Sequence, residues 1–152
     1  MILEQMMSEK SVNFISEDNQ ELVLRQLARN MFKQGFVRET YEDAVVLREK
    51  KFPTGLQTET YGIAIPHTDS IHVNQAAIGL GILEKSVSFK EMGDPQTDLD
   101  VRIIFMLAIK DPNKQLEVLQ VLINLIQDTK KMRRVLTCTN KEEIVSIITG
   151  KE

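Results

Sequence analysis

The sequence predicts an α/β fold in which a sheet is sandwiched between helices. Apolar residues recur at helical spacing toward both ends of the chain, and β-type runs fill its middle. No repeat, low-complexity tract or Pro/Gly/Ser linker divides the 152 residues, so residues 1–152 read as one domain large enough to bury a core. Strand order cannot be read from the sequence and stays open.

Residues 1–11 read as a loosely ordered lead-in. Val12, Phe14 and Ile15 follow as a short strand, and Ser16-Glu17-Asp18-Asn19 supplies helix-start residues. Leu24, Leu27, Ala28 and Met31 then fall at i, i+3, i+4 and i+7, one face of a helix, with Gly35 where a helix C′ residue belongs. A second helix begins after Thr40, carries Ala44, Val45 and Leu47, and ends before Pro53-Thr54-Gly55. Tyr61 to Ile65 and Ala76 to Leu83 are strand-like. Val101 to Ile109 is apolar on both faces, as a central strand covered by helices would be. Asp111-Pro112-Asn113 breaks the chain, and Leu116, Leu119, Ile123 and Ile126 mark another helical stripe. Two more helices close the sequence, one around Lys130 to Leu136 and one opened by Asn140 with Glu143 three residues on, a capping box in outline.

Composition narrows the chemistry. With 19 Lys and Arg against 22 Asp and Glu the net charge is −3, which lacks the basic excess of a protein that binds nucleic acid through its phosphates. A single cysteine builds no disulfide framework within the chain and points to a reducing, cytoplasmic home. Two histidines and one cysteine make a protein-only zinc site a poor expectation. The opening residues do not read as a secretion signal. The most apolar stretch, Val101 to Ile109, carries Arg102 and falls far short of the about 20 residues that cross a membrane, so no membrane insertion is expected.

The distinctive segment is Gly62-Ile63-Ala64-Ile65-Pro66-His67-Thr68-Asp69. An apolar strand delivers a histidine just past its end, at the rim of a sheet, where partly exposed catalytic groups often lie. Imidazole is nucleophilic near pH 7 and its two ring nitrogens can take different hydrogen-bond roles. A loop histidine with no task is the plain alternative.

These residues and their flanks carry a resemblance. From Leu47 to Leu125 the chain resembles the enzyme IIA domains of the sugar phosphotransferase system, in the mannitol/fructose class. Gly62 to His67 matches that family's phosphorylation motif, and Arg48-Glu49 upstream and Asp100 to Ile109 downstream fit its surrounding pattern. Phe52-Pro53-Thr54-Gly55 and Gln115-Leu116-Glu117-Val118-Leu119 look more like the galactitol-type branch. The resemblance implies a mixed sheet between helices and a phosphoryl relay. A histidine, here His67, takes the group from phospho-HPr, usually on Nε2. It then hands the group to enzyme IIB, which phosphorylates the sugar entering through the membrane component IIC. The donor is already a phosphoramidate, so no cofactor or metal is implied, and the protein's task is positioning and electrostatic support.

The same resemblance makes Arg48 the residue that steadies the phosphoryl group; otherwise it is an exposed helix charge. Thr68, where many relatives have glycine, is expected to offer the phosphate its hydroxyl or its backbone N–H. Gln115 stands where mannitol- and fructose-type relatives commonly carry a second histidine. It is either a neutral helper lining the site or an ordinary helix-surface glutamine. Galactitol or a related polyol is the implied cargo class, and a monomer meeting its partners transiently is the expected state. A nitrogen-type regulatory IIA domain, whose phosphorylation controls a partner protein, is the rival reading.

Other candidates have plainer explanations. His72 reads as a packing or solvent-facing loop residue, Cys138 as a structural thiol, and Asp69 as either an imidazole partner or a helix cap. Ser70, His67 and Asp69 lie too close in sequence for a hydrolase triad, and no Gly-x-Ser-x-Gly elbow is present. Gly79-Leu80-Gly81 lacks the third glycine of a dinucleotide fingerprint and reads as close packing. Lys130, Lys131, Arg133 and Arg134 read as a solvated helix face.

Overall fold

A computed structural model describes residues 2–151; Met1 and Glu152, the ends of the expected domain, lie outside the described residues. Five strands form one mixed sheet. They are β1 (Val12–Ile15), β2 (Gly55–Gln57), β3 (Gly62–Ala64), β4 (Ala77–Lys90) and β5 (Asp98–Ala108), in the order β1-β4-β5-β3-β2. β1 runs parallel to β4 and β3 parallel to β5, whereas β4 pairs antiparallel with β5 and β2 with β3.

Helices α1 (Gln20–Lys33) and α2 (Tyr41–Lys51) cover one face, burying Val23, Leu24, Leu27, Met31, Tyr41, Val45 and Val46 against the sheet. Helices α3 (Gln115–Ile126), α4 (Thr129–Thr137) and α5 (Lys141–Thr149) cover the other through Val118, Leu122, Met132, Val135, Ile144 and Ile147. The central strand β5 feeds both cores: Ile103, Phe105 and Leu107 point one way, Ile104, Met106 and Ala108 the other. That two-sided burial is why its sequence is apolar without alternation.

Local signals act as their chemistry dictates. Asn19 accepts from the Leu22 backbone N–H at 2.9 Å and caps α1. At the far end Gly35 takes a positive φ of 83°, with Gly35 N–H on the Phe32 carbonyl and Phe36 N–H on the Met31 carbonyl. This is a Schellman closure, which an L side chain would strain. Asn140 accepts from the Glu143 backbone N–H at 2.9 Å, the capping half of the expected box. A Cβ on Gly79 or Gly81 would stand 3.1 Å from Met31 Sδ or Leu27 Cδ1, so these glycines let α1 settle onto β4.

Three expectations need correction or extension. The loosely ordered lead-in is instead folded: residues 3–5 and 9–11 make short 3-10 turns, and Leu3, Met6 and Met7 are buried in the core shared with α5 and β4. Their i, i+3, i+4 spacing gives one short apolar face, and the Met6 carbonyl takes the Ile78 N–H at 3.0 Å. β4 continues seven residues beyond Leu83, past exposed Glu84-Lys85-Ser86, because Val87 and Phe89 bury again opposite Val101 and Leu99. β2 was not anticipated; three residues too short to show a period pair with β3 along the sheet edge. Among the described residues no helix is long and apolar enough to cross a membrane.

Candidate functional site

The site forms where β3 and β5 end side by side. Gly62 to Pro66 are buried, and the chain leaves the sheet through Pro66, whose carbonyl accepts from Leu107 N–H at 2.9 Å. His67 then makes one isolated bridge to Leu107, so the imidazole stands at the sheet rim, half-buried. Its Nδ1 lies 2.9 Å from the Ile65 carbonyl oxygen. A carbonyl only accepts, so Nδ1 carries the proton and Nε2 keeps its lone pair. Nε2 meets no hydrogen-bond partner among the described residues.

Burial pulls the His67 pKa below the ordinary histidine value. The Ile65 carbonyl opposes this, nearby Arg48 adds to it, and Asp69 opposes it. The imidazole is therefore neutral at pH 7, the state in which a ring nitrogen is nucleophilic.

Arg48 projects from α2 with Nη1 3.8 Å from Asp69 Oδ1, and its guanidinium lies over the Phe52 ring, 5.2 Å from the centroid. Asp69 is 78% exposed, so this loose pair holds Arg48 only weakly. The buried Arg48 Nε has no hydrogen-bond partner among the described residues. Thr68 sits between His67 and Asp69, half-buried, its hydroxyl unpaired among the described residues. Gln115 is the first residue of α3, also half-buried, and no hydrogen bond links it to His67.

Residues 5–151 match the family described as phosphoenolpyruvate-dependent sugar phosphotransferase system, EIIA 2. The chain belongs to that family. It is 32% identical over 115 residues to the galactitol-specific EIIA component of the PTS system of Escherichia coli (strain K12), a match covering 76% of each chain. Its fold is similar to the crystal structure of IIA mannitol from Escherichia coli, with a TM-score of 0.77 at 23% identity over 93% of this chain and 98% of that one. It is also similar to the enzyme IIA mannitol component seen in complex with phosphorylated enzyme IIB mannitol from the same organism. There the TM-score is 0.79 at 22% identity, over 95% of this chain and 98% of the other. As an EIIA component, the chain is a phosphotransferase component of the sugar phosphotransferase system.

Two features of this EIIA site escaped the sequence reading. Glu49, next to Arg48, is 3% exposed, and its two oxygens accept from Thr54 N–H at 2.8 Å and Thr54 Oγ1 at 2.7 Å. Thr54 Oγ1 in turn accepts from Ile65 N–H at 3.1 Å. Tyr41, fully buried at the start of α2, donates its hydroxyl to the Leu107 carbonyl at 2.6 Å. The available signal was a charge on a helical stripe: Tyr41, Val45 and Glu49 lie four apart and all face inward.

The remaining candidates do structural work. Thr40 Oγ1 and His72 Nδ1 lie 2.8 Å apart, and the His72 carbonyl takes the Arg38 N–H, stitching 37–38 to 72–73. Asp69 precedes the 3-10 turn Ser70–His72 without a side-chain capping bond, and it faces Arg48 rather than His67 Nδ1. Ser70, His67 and Asp69 therefore assemble no triad. Cys138 is half-buried with Sγ 3.5 Å from the Asn140 carbonyl. Among the described residues no three His, Cys, Asp or Glu side chains group so as to hold a metal ion.

Proposed function

We propose that this EIIA component is a phosphocarrier that takes a phosphoryl group from phospho-HPr on His67 Nε2 and passes it to an enzyme IIB, for uptake of galactitol or a related polyol. The carrying observation is the Nδ1 to Ile65 carbonyl bond, which leaves Nε2 as the nitrogen with the free lone pair on a ring that feels the charge of nearby Arg48. On loading, the donor's P–N bond breaks as the bond to Nε2 forms; on unloading, the P–Nε2 bond breaks as phosphorus bonds to the nucleophile of enzyme IIB. Nδ1–H stays on the Ile65 carbonyl throughout and helps spread the charge the ring gains. Arg48 steadies the transferring oxygens, and the Thr68 hydroxyl is a further donor. Each charge-assisted bond contributes about 1.5–3 kcal/mol.

The partner assignments rest on similarity and on surface chemistry. The galactitol-specific relative supplies the cargo class. A IIA mannitol component in complex with phosphorylated IIB supplies the acceptor. Leu47 and Phe52, flanking Arg48, and Ile71, four residues past His67, are 55%, 61% and 68% exposed, an apolar rim suited to brief docking and to keeping water from the phosphohistidine. Encounters of this kind use small interfaces, below about 1,200 Å² in total.

Incubation with phosphoenolpyruvate, enzyme I and HPr should place an acid-labile phosphoryl group on the protein, read by intact-mass spectrometry. Wild type that takes no label, or a His67→Ala variant that labels equally, refutes the assignment. Adding a candidate IIB then separates relay from regulation: onward loss of label marks a transport carrier, and retention of it marks the nitrogen-type alternative.

A further inference from the structure

Glu49 belongs to no expected role, yet it is a charged residue almost wholly removed from water. Burying a carboxylate is costly unless both oxygens are satisfied. Here the donors are fixed by chemistry. The Thr54 N–H can only donate, and it occupies Oε2. The Ile65 N–H can only donate, so Thr54 Oγ1 accepts from it, and the hydroxyl's own proton has no acceptor among the described residues other than Glu49 Oε1. The arrangement therefore asks for an acceptor on each Glu49 oxygen. An amide or a protonated acid offers one good acceptor and puts a donor in the other place.

The chain of contacts has a direction. It starts on the turn of α2 that carries Arg48, crosses Thr54 beside β2, and ends on Ile65, whose carbonyl holds His67 Nδ1. Arg48 and His67 come from separate elements, and these bonds set one against the other. We propose that Glu49 is a positioning residue for the phosphoryl-transfer site, its carboxylate fixing Thr54 and Ile65 so that His67 keeps its Nδ1–H tautomer in register with Arg48. This rests on the phosphocarrier reading, but its structural half does not depend on transfer being observed. Among the described residues no charged group pairs with the carboxylate: on α2, Arg48 faces Asp69 and Lys50 faces Glu21, and the loop and strand end facing it offer Thr54 and Ile65.

The test compares Glu49→Gln, Thr54→Val and Thr54→Ser with wild type. Long-range ¹H–¹⁵N spectra of the imidazole report the His67 tautomer, and label uptake from phospho-HPr reports the rate. At pH 8, where Glu49 is mostly ionised, wild type and Thr54→Ser, which keeps the hydroxyl, should show the Nδ1–H form and similar rates. Glu49→Gln and Thr54→Val should show mixed tautomers and uptake slowed roughly ten- to a hundredfold, the scale of a small misplacement at a reacting centre. Folded Glu49→Gln or Thr54→Val with the wild-type tautomer and rate overturns the proposal. So does Thr54→Ser as impaired as Thr54→Val. If Glu49→Gln does not fold, the two Thr54 variants decide. If wild type takes no label, the phosphocarrier reading fails and the tautomer spectra alone decide the role of Glu49.

Discussion

The Tyr41 hydroxyl donates to the Leu107 carbonyl oxygen at 2.6 Å, and the Leu107 N–H donates to the Pro66 carbonyl oxygen at 2.9 Å. One residue of the central strand thus ties the first turn of α2 to the peptide that precedes His67. The helix that presents Arg48 and the loop that presents the imidazole share this anchor.

Removing the hydroxyl with Tyr41→Phe should cost about 1–3 kcal/mol, because the phenol is fully buried and its departure leaves the Leu107 carbonyl short of a partner. Urea unfolding at pH 7 measures the loss. An unchanged midpoint would mean that packing alone holds α2 at this end.

Gly55 meets a second constraint on the same frame. A Cβ there would lie 2.5 Å from the Lys90 carbonyl oxygen, which is backbone and cannot swing away. Gly55→Ala should therefore displace β2 and the adjacent Thr54, destabilising the fold by about 1–3 kcal/mol and slowing phosphorylation as well. Gly93→Ala is the matched control, since a Cβ there meets nothing within 4 Å. Thermal unfolding of the pair separates the two; equal melting temperatures would remove the steric argument.

These constraints show where sequence reasoning reached and where it stopped. Helix α1 was legible because its period, its Asn19 cap and its Gly35 stop agree. The histidine was legible because strand, proline and imidazole follow one another, and the flanking motifs gave Arg48 its place. β2 was not legible, because three residues carry no period and their position depends on contact with the β4–β5 hairpin. The ordered lead-in was missed because Leu3, Met6 and Met7 gain their face only when α5 and β4 are present to bury it. Glu49 was missed because a charge beside Arg48 and Lys50 reads as a solvated surface. Only the fold shows that its stripe, shared with Tyr41 and Val45, turns inward.

Arg48 and Asp69 should move the His67 titration in opposite directions. Burial is the larger cause of the lowered His67 pKa, with Arg48 adding to it and Asp69 opposing it. Arg48→Ala removes a repelling cation and should raise the imidazole pKa; Asp69→Asn removes an attracting anion and should lower it further. NMR titration of the His67 ring protons reads both. Shifts of the same sign in the two variants would show that neither charge is felt through space. Arg48→Lys keeps the charge but loses the planar fork, so its pKa effect should be small while phosphoryl uptake still slows.

The stability of the protein should depend on pH through Glu49 and His67 with opposite signs. Burial pushes the Glu49 pKa up to about 7, from an ordinary 4.5. The folded state then holds that proton more tightly than the unfolded one, so the contribution is complete below about 4.5 and is lost as pH rises through about 7. His67 is shifted down, so its contribution is present above the ordinary histidine value and is lost as pH falls below it. Glu49→Gln removes only the first effect. Measured by urea unfolding, its stability relative to wild type should rise between pH 5 and pH 8, by an amount on the order of 3 kcal/mol. A difference that stays constant over that range would show that Glu49 does not titrate there. The rise in relative stability should accompany slower transfer, since the two-acceptor arrangement around Thr54 needs the carboxylate. Fold energetics thus favour the acid form, and the site needs the anion, a conflict of the kind expected where a buried charge is kept for position.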